Sequence, residues 1–139
     1  MRIRLELPEQ FSFHTTIPIR ITDVNYGGHV GNDSILSLIH EARLQYLNSF
    51  GYTEMELEGV ALIMSDAAIE FKSELFYGDQ LKVYITVSNY SKVSFDLFYK
   101  LVNSENEKII VTAKTGMVCY DYKNKKVTTV PEAAKMKLK

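Results

Sequence analysis

Hydrophobic and polar residues alternate along much of this chain, with the two-residue period of a β-strand. Residues 11–21 alternate in this way. Because Pro18 lacks an N–H donor, we expect this strand to lie at a sheet edge or to carry a bulge there. Residues 61–75 also read as a strand, and the alternation continues in three later segments, residues 81–90, 93–102 and 108–122. Short turn-forming sequences separate the last four strands and predict an antiparallel meander.

One segment has the period of a helix. Apolar residues recur at spacings of three and four from Ile35 to Leu47. Further apolar residues widen this stripe: Leu36, Leu44 and Phe50. Three residues of types that cap helix N-termini precede it: Asn32, Asp33 and Ser34. Gly51 can adopt the positive φ that often ends a helix. The pattern predicts a helix over residues 33–49, enclosed by the rest of the chain over much of its circumference.

The order strand, long helix, four strands predicts an α+β fold in which the helix lies against a curved antiparallel sheet. Residues 1–139 form a single domain in this interpretation. One helix seldom covers a five-stranded sheet completely, and the uncovered part favours association with a second copy. We therefore expect a homodimer or a homotetramer, with functional sites near the subunit boundary.

Composition narrows the classes of function. With 46% hydrophobic and 24% charged residues, the chain can build a core, and its net charge of −1 predicts neither nucleic acid nor an anionic membrane as a partner. The basic C-terminal residues 133–139 are expected to be frayed and solvated. The single cysteine, Cys119, offers no disulfide framework or zinc cluster and fits an inward strand position. No signal peptide or membrane span is visible, so the expected compartment is the cytoplasm.

The most polar, glycine-rich stretch precedes the helix directly. Three glycines, Gly27, Gly28 and Gly31, allow tight turns and close backbone approach to a ligand. Four polar side chains share the stretch: Asp23, Asn25, His29 and Asn32. The N–H groups at the helix start favour a carbonyl oxygen or a phosphate. This set of groups suits acyl chemistry with a nucleophilic water, although the same composition also describes an ordinary turn with helix caps.

The sequence "DVNYGGHVGND" (residues 23–33) resembles the signature of the hotdog-fold thioesterases. Acyl carrier protein thioesterases carry Asp-x-Asn-x-His-Val-Asn-Asn before their central helix, but two extra residues separate Asn25 from His29 here. The hydroxybenzoyl-CoA thioesterase branch carries Asp-x-Asp-x-x-Gly, and its second, nucleophilic Asp falls on Asn25. "HEAR" (40–43) looks like the helix of that branch, and "IEFKSELFYGDQL" (69–81) resembles the family's strand and turn.

This resemblance spans nearly the whole chain and implies a hotdog fold, with a long central helix wrapped by a five- to six-stranded antiparallel β-sheet. It implies hydrolysis of an acyl thioester, carried by coenzyme A or by acyl carrier protein, with no cofactor and no metal. In the acyl carrier protein enzymes a stretch similar to residues 69–81 contributes a Glu, which maps to Glu74.

The implied mechanism assigns a role to each polar group of the loop. Asn25 would orient a water or polarise the thioester carbonyl, and His29 would be the general base. Asp23 would orient His29 or only hold the loop. Glu74 would be a second candidate base or a solvated turn residue. Backbone N–H groups from Gly28 to Asn32 would form the oxyanion hole. The residues expected to contact the acyl group and its carbonyl are Gly28, Val30, Asn32 and Ile35.

Coenzyme A carries phosphates, so cations are expected at the mouth of the site. Lys72, Lys92 and Lys114 are the candidates, with surface solvation as the alternative for each. Two rival functions keep the fold. A non-catalytic acyl-CoA-binding module is favoured by the missing nucleophilic Asp at Asn25. A hotdog dehydratase or hydratase fits less well, because its loop pairs Asp and His with a nearby Asn-Pro that "VNYGG" lacks.

Overall fold

A computed structural model describes all 139 residues as a long helix packed on one face of an antiparallel sheet. The elements are β1 (Phe13–Pro18), a 3-10 turn (Ile21–Asp23), α1 (Asn32–Asn48), β2 (Ala61–Phe71), β3 (Gln80–Ser88), β4 (Ser94–Asn103), β5 (Ile109–Asp121), β6 (Lys126–Val127) and α2 (Glu132–Lys137). The predicted α+β class and the central helix are confirmed.

The strand order in the sheet is β1-β3-β4-β5-β2, with the short β6 beside β5. The predicted four-strand meander is therefore wrong at β2, since only β3, β4 and β5 follow one another in space. Because β1 and β4 pair with the two sides of β3, no side of β3 is left for β2. β2 pairs instead with the open side of β5, and residues 72–79 lead the chain across the end of the sheet to β3.

The first strand lies at a sheet edge, as Pro18 predicts, but it is shorter than the alternation suggested. Ile17 and Ile19 are buried, whereas Ile21 is 66% exposed. The chain leaves the sheet after Pro18 and enters the 3-10 turn, so the two-residue period no longer sets the direction of the side chains.

The apolar stripe of α1 faces the core as predicted. Its buried members are Ile35, Leu38, Ile39, Ala42, Tyr46 and Leu47. The predicted widening of the apolar stripe is wrong at Leu36 and Leu44, because both side chains are exposed. One side of α1 is therefore not covered by the rest of the chain. The N-cap is Gly31, not one of the three polar residues after it, and no side chain caps this end. Gly51 has φ of +84°, which confirms its place after the helix.

The C-terminal residues are docked, which corrects the prediction of a frayed end. Ala134 and Leu138 are buried in the core, although α2 contains three lysines within or beside it. The Tyr46 hydroxyl donates to the backbone carbonyl of Lys139 at 2.7 Å. The lysines of this segment led the sequence to predict a solvated end, whereas the apolar side of the short helix packs against the core. Cys119 is buried, as predicted, and burial raises the pKa of its thiol to about 11.

A buried ion pair joins α1 to the segment after it and to the sheet. Arg43 is 5% exposed, and its Nε donates to Glu54 at 2.8 Å. Its Nη1 donates to the Tyr99 hydroxyl at 3.3 Å. His40 contacts the other oxygen of Glu54 at 2.8 Å. Glu41 does not pair with Arg43, because residues two apart on a helix point in different directions; its Oε2 accepts from Gln45 Nε2 at 2.7 Å.

Residues 1–11, which we call the N-terminal arm, cross the face of the sheet that points away from α1. The Leu5 N–H donates to Glu70 Oε1 at 2.8 Å, and the ring of Phe11 packs 6.1 Å from that of Tyr84. The arm follows one row of paired residues across the sheet: Glu70, Thr112, Lys100, Tyr84 and His14. The arm therefore covers part of a face that the hydrophobic pattern left without a partner.

Candidate active site

The loop between β1 and α1 is closed by its own backbone. The Asn25 N–H donates to the His29 carbonyl at 2.9 Å, and the Gly28 N–H donates to the Asn25 carbonyl at 3.0 Å. Gly28 has φ of +87°, a conformation that glycine adopts without steric cost. The glycine-rich sequence thus builds a compact turn that fixes where His29 stands.

A second set of contacts ties this loop to the segment after β2. The Val30 N–H donates to the Leu75 carbonyl at 2.8 Å, and His29 forms a β-bridge with Phe76. As a result, Glu74 Oε1 lies 3.9 Å from His29 Nε2. That distance is too long for a direct hydrogen bond, but one water can bond both atoms at about 2.8 Å from each. The structure therefore brings two titratable candidates together.

The backbone contact of His29 selects its tautomer. Nδ1 lies 3.3 Å from the Val30 carbonyl oxygen, which can only accept a hydrogen bond. Nδ1 therefore carries the proton in the neutral ring, and Nε2 keeps a free lone pair on the side of Glu74. A general base requires such a lone pair.

The start of α1 supplies free donors, but not at all the predicted positions. The N–H groups of Gly28 and Val30 already donate within the chain, so they cannot also form an oxyanion hole. The N–H groups of Gly31, Asn32 and Asp33 have no acceptor in the chain. They belong to the first turn of the helix, where the dipole favours negative charge. Of the predicted donors from Gly28 to Asn32, the N–H groups of His29, Gly31 and Asn32 therefore remain without an acceptor in the chain.

The Asn25 side chain has one atom engaged and one free. Its Oδ1 accepts the Gly27 N–H at 2.8 Å, which forms an Asx turn. Its Nδ2 lies close to Gly31, because a Cβ built on that glycine would be 3.7 Å from it. The amide nitrogen can therefore donate beside the free helix N–H groups, whereas its oxygen is committed to the shape of the loop.

Asp23 has no contact with His29, so its suggested role in orienting the imidazole is wrong. Its carboxylate accepts the Arg20 N–H at 2.8 Å and lies 3.5 Å from the Arg20 Nε. It lines a different cleft, between β1 and α1. The alternative role, in which Asp23 only holds the loop, agrees with these contacts: it closes the 3-10 turn that starts the loop.

The helix start, the loop and the end of β2 enclose a cleft of about 250 Å³. The predicted site residues that line it are His29, Val30, Asn32, Ile35, Lys72 and Glu74. The sequence did not predict the further lining residues: Phe71, Ser73, Leu75, Ile110 and Val111. Val111 stood in a predicted strand, but only the pairing of β2 with β5 brings it here, and the expected meander excluded that pairing.

Two of the three candidate lysines lie elsewhere. Lys92 follows β3 in the turn before β4, at the opposite end of the strands from the cleft. Lys114 forms an ion pair with Asp66 at 2.7 Å and a longer one with Asp96 at 3.9 Å. Only Lys72 stands at the mouth of the cleft, with its side chain 45% exposed. The sequence does not show at which end of the sheet a lysine in a turn or in a strand lies, so it could not separate Lys72 from Lys92 and Lys114.

Two further findings concern the whole molecule. No three His, Cys, Asp or Glu side chains are grouped so that they could hold a metal ion. None of its helices has both the length and the apolar character needed to cross a membrane.

Comparison with known proteins gives the family. The family model of the thioesterase-like superfamily matches residues 19–138. The 1,4-dihydroxy-2-naphthoyl-CoA hydrolase of Microcystis aeruginosa is 32% identical over 120 residues, which cover 84% of this chain and 86% of that protein. The protein of the same name from Crocosphaera subtropica is 28% identical over 119 residues, with 81% and 85% covered.

A solved structure shows the same fold. The 1,4-dihydroxy-2-naphthoyl-CoA thioesterase from Synechocystis superposes with a TM-score of 0.81 at 24% identity, over 89% of this chain and 93% of that one. The hotdog fold and thioester hydrolysis, both expected from the sequence, are confirmed. The chain belongs to the thioesterase-like superfamily, as a hotdog-fold hydrolase of acyl thioesters.

Proposed function

We propose that this protein hydrolyses the coenzyme A thioester of a compact aromatic acid. The names of two relatives describe a dihydroxynaphthoyl-CoA substrate. The cleft, at about 250 Å³, lies just below the range of about 300–1,000 Å³ that is typical of ligand pockets. A short, flat acyl group suits this size better than a long alkyl chain. Apolar side chains line the walls: Ile35, Phe71, Leu75 and Val111.

The reaction follows from the free donors and the free lone pair. The thioester carbonyl oxygen accepts hydrogen bonds from the N–H groups at Gly31 and Asn32 and from Asn25 Nδ2, and these stabilise the oxyanion as it forms. His29 Nε2 takes a proton from a water that attacks the carbonyl carbon. The tetrahedral intermediate expels the thiolate, which receives that proton from His29. The products are a free acid and free coenzyme A.

Glu74 has a supporting part in this mechanism. Its carboxylate, 3.9 Å from His29 Nε2, stabilises the imidazolium that exists between the two proton transfers. The same distance leaves room for the water that both groups hold. The single observation that carries the proposal is this pair beside the unpaired N–H groups of α1. If Glu74 itself is the base, Glu74→Gln should lower kcat more than His29→Ala does.

The test is a steady-state assay on benzoyl-, hydroxynaphthoyl-, acetyl- and palmitoyl-CoA with detection of free thiol. Cys119 is buried and contributes no background. His29→Ala should lower kcat about a hundredfold or more with little change in KM, and Glu74→Gln should have a smaller effect. His14→Ala, on the exposed outer side of β1, is the matched control and should retain full activity.

Other outcomes of this assay identify the rivals. If Glu74→Gln is more severe than His29→Ala, Glu74 is the base. If no thioester is hydrolysed although acyl-CoA binds, the protein is an acyl-binding module and Asn25 marks its lost nucleophile. A preference for acyl groups on acyl carrier protein over the same groups on coenzyme A would overturn the proposed carrier.

We expect the active unit to be a homodimer, or a tetramer built from two dimers. β2 has β5 on one side and an open edge on the other, and residues 64–67 of this edge are exposed. Such an edge presents unpaired N–H and C=O groups. The cleft begins where β2 ends, so a strand added there would stand beside it. Light scattering that gives the monomer mass at micromolar concentration would contradict this assembly.

A further inference from the structure

A second cleft, which we call the arm cleft, adjoins the candidate active site. Residues 1–3 of the N-terminal arm form one wall and residues 69–72 form the other, around a volume of about 500 Å³. Phe71 and Lys72 line both clefts, so the two clefts adjoin where β2 ends.

The arm cleft concentrates positive charge in a chain whose net charge is −1. Arg2 and Lys72 line it. Arg4 is close enough to Glu70 to contribute to the lowered pKa of that carboxyl, after the hydrogen bond from the Leu5 N–H, which is the largest cause. Arg2 and Lys72 come from distant parts of the sequence, and only the path of the arm brings them together; Arg4 follows Arg2 on the arm and lies near Glu70, beside this lining.

Glu70, the one carboxylate of this lining, is already engaged. Its Oε1 accepts the Leu5 N–H at 2.8 Å and the Thr112 hydroxyl at 3.4 Å, and its Oε2 lies 3.8 Å from Lys72 Nζ. These contacts leave Glu70 with the function of anchoring the arm. Neither arginine forms an ion pair of 4.0 Å or less with a carboxylate, so both guanidinium groups remain available to an anion.

We propose that the arm cleft binds the phosphorylated nucleotide end of coenzyme A, with Arg2 and Arg4 on the arm and Lys72 on the sheet as its phosphate contacts. Guanidinium groups bind phosphate oxygens in pairs, and the volume lies within the usual range for a ligand of this size. The proposal rests on the proposed function, because it requires a thioester of coenzyme A in the neighbouring cleft. Under this proposal the arm is a specificity element for the carrier and has no part in the chemical step.

The test compares two substrates that share an acyl group and differ in their carrier, an aryl-CoA and the corresponding pantetheine thioester. The double variant Arg2→Ala/Arg4→Ala should raise KM for the aryl-CoA about tenfold, which is the loss expected for two exposed phosphate contacts, and leave kcat unchanged. Its KM for the pantetheine thioester should equal that of the wild type. Lys123→Ala/Lys126→Ala removes two exposed cations beyond the far end of β5 and is the matched control.

Binding of adenosine 3′,5′-bisphosphate, measured by calorimetry, tests the cleft without catalysis. We expect binding to the wild type, weaker binding to the arm variant and to Lys72→Gln, and unchanged binding to the control. Equal effects of the arm variant on both thioesters, or no effect on either, would overturn the proposal. Failure of all hydrolysis with intact nucleotide binding would overturn the proposed function alone. Preference for a carrier-protein thioester with no nucleotide binding would overturn this inference.

Discussion

Replacing Glu54 with Gln should destabilise the protein far more than a surface substitution does. The change keeps the shape of the side chain but removes the only charge that compensates the buried guanidinium of Arg43. What remains around Arg43 is neutral: the amide oxygen of the new side chain and the Tyr99 hydroxyl at 3.3 Å. A buried charge that loses its partner typically costs about 3–5 kcal/mol. Glu54 is itself 23% exposed, so we take about 3 kcal/mol.

This free energy translates into a measurable shift in the melting temperature. An unfolding entropy of about 2.1 cal/mol/K per residue over 139 residues makes ~3 kcal/mol equivalent to a fall in Tm of about 10 °C. The assay is thermal unfolding followed by circular dichroism at fixed protein concentration, because any association changes Tm. Glu41→Gln on the exposed side of the same helix is the control and should shift Tm by no more than about 2 °C.

A double variant separates the explanation from a general loss of packing. Arg43→Met/Glu54→Gln removes both charges, and replacement of a buried pair by apolar groups is often neutral or stabilising. It should therefore be more stable than Glu54→Gln alone. If Glu54→Gln melts like the control, or if the double variant is the less stable one, the buried pair does not act as we describe.

Three further results are expected. Burial alone would raise the pKa of Glu54, but the hydrogen bonds from His40 and Arg43 outweigh it, so the pKa is lowered in the folded state. The stability that this group contributes is complete above its unfolded pKa of about 4.3 and is lost as the pH falls through the folded value. Glu54→Gln should therefore flatten the acid limb of a plot of Tm against pH. Leu138→Ala should cost about 2–3 kcal/mol in urea unfolding, whereas Met136→Ala on the exposed side of α2 should cost almost nothing, and equal values would return the C-terminus to a frayed end. Cys119 should not react with a thiol reagent until the protein unfolds, because it is buried and its thiolate is disfavoured, so rapid reaction of the native protein would contradict this packing.

Local patterns predicted the elements of this fold well, because each is written in consecutive residues. The stripe from Ile35 to Leu47 and the alternation in β3, β4 and β5 reflect faces that are buried in the structure. The position of β2 was not predictable in this way. Its side chains alternate whichever strand lies beside it. β1 occupies the side of β3 that β4 leaves free, so the free side of β5 is the one that remains for β2.

The site was predictable in its loop and less so in its geometry. Family resemblance pointed to His29 and Glu74, and the structure brings them together. It could not show that Asp23 turns toward Arg20, since a carboxylate that orients a histidine and one that closes a turn have the same spacing in sequence. Nor could it show which backbone N–H groups are free. That depends on a hydrogen bond from Val30 to Leu75, which joins two segments far apart in the chain.

The strand order also predicts a sequence of events in folding. Within the β3–β4 hairpin, Ser88 lies opposite Asp96, so this pairing closes a short loop, whereas Ala61 lies opposite Tyr120. Loop closure becomes more costly with length, and contacts between distant residues form slowly. We therefore expect the β3–β4–β5 meander to form the folding nucleus and β2 to join it late. Because Glu74 and Leu75 follow β2 directly, the catalytic cleft is assembled in the last step, and variants in β2 should change the unfolding rate more than the folding rate.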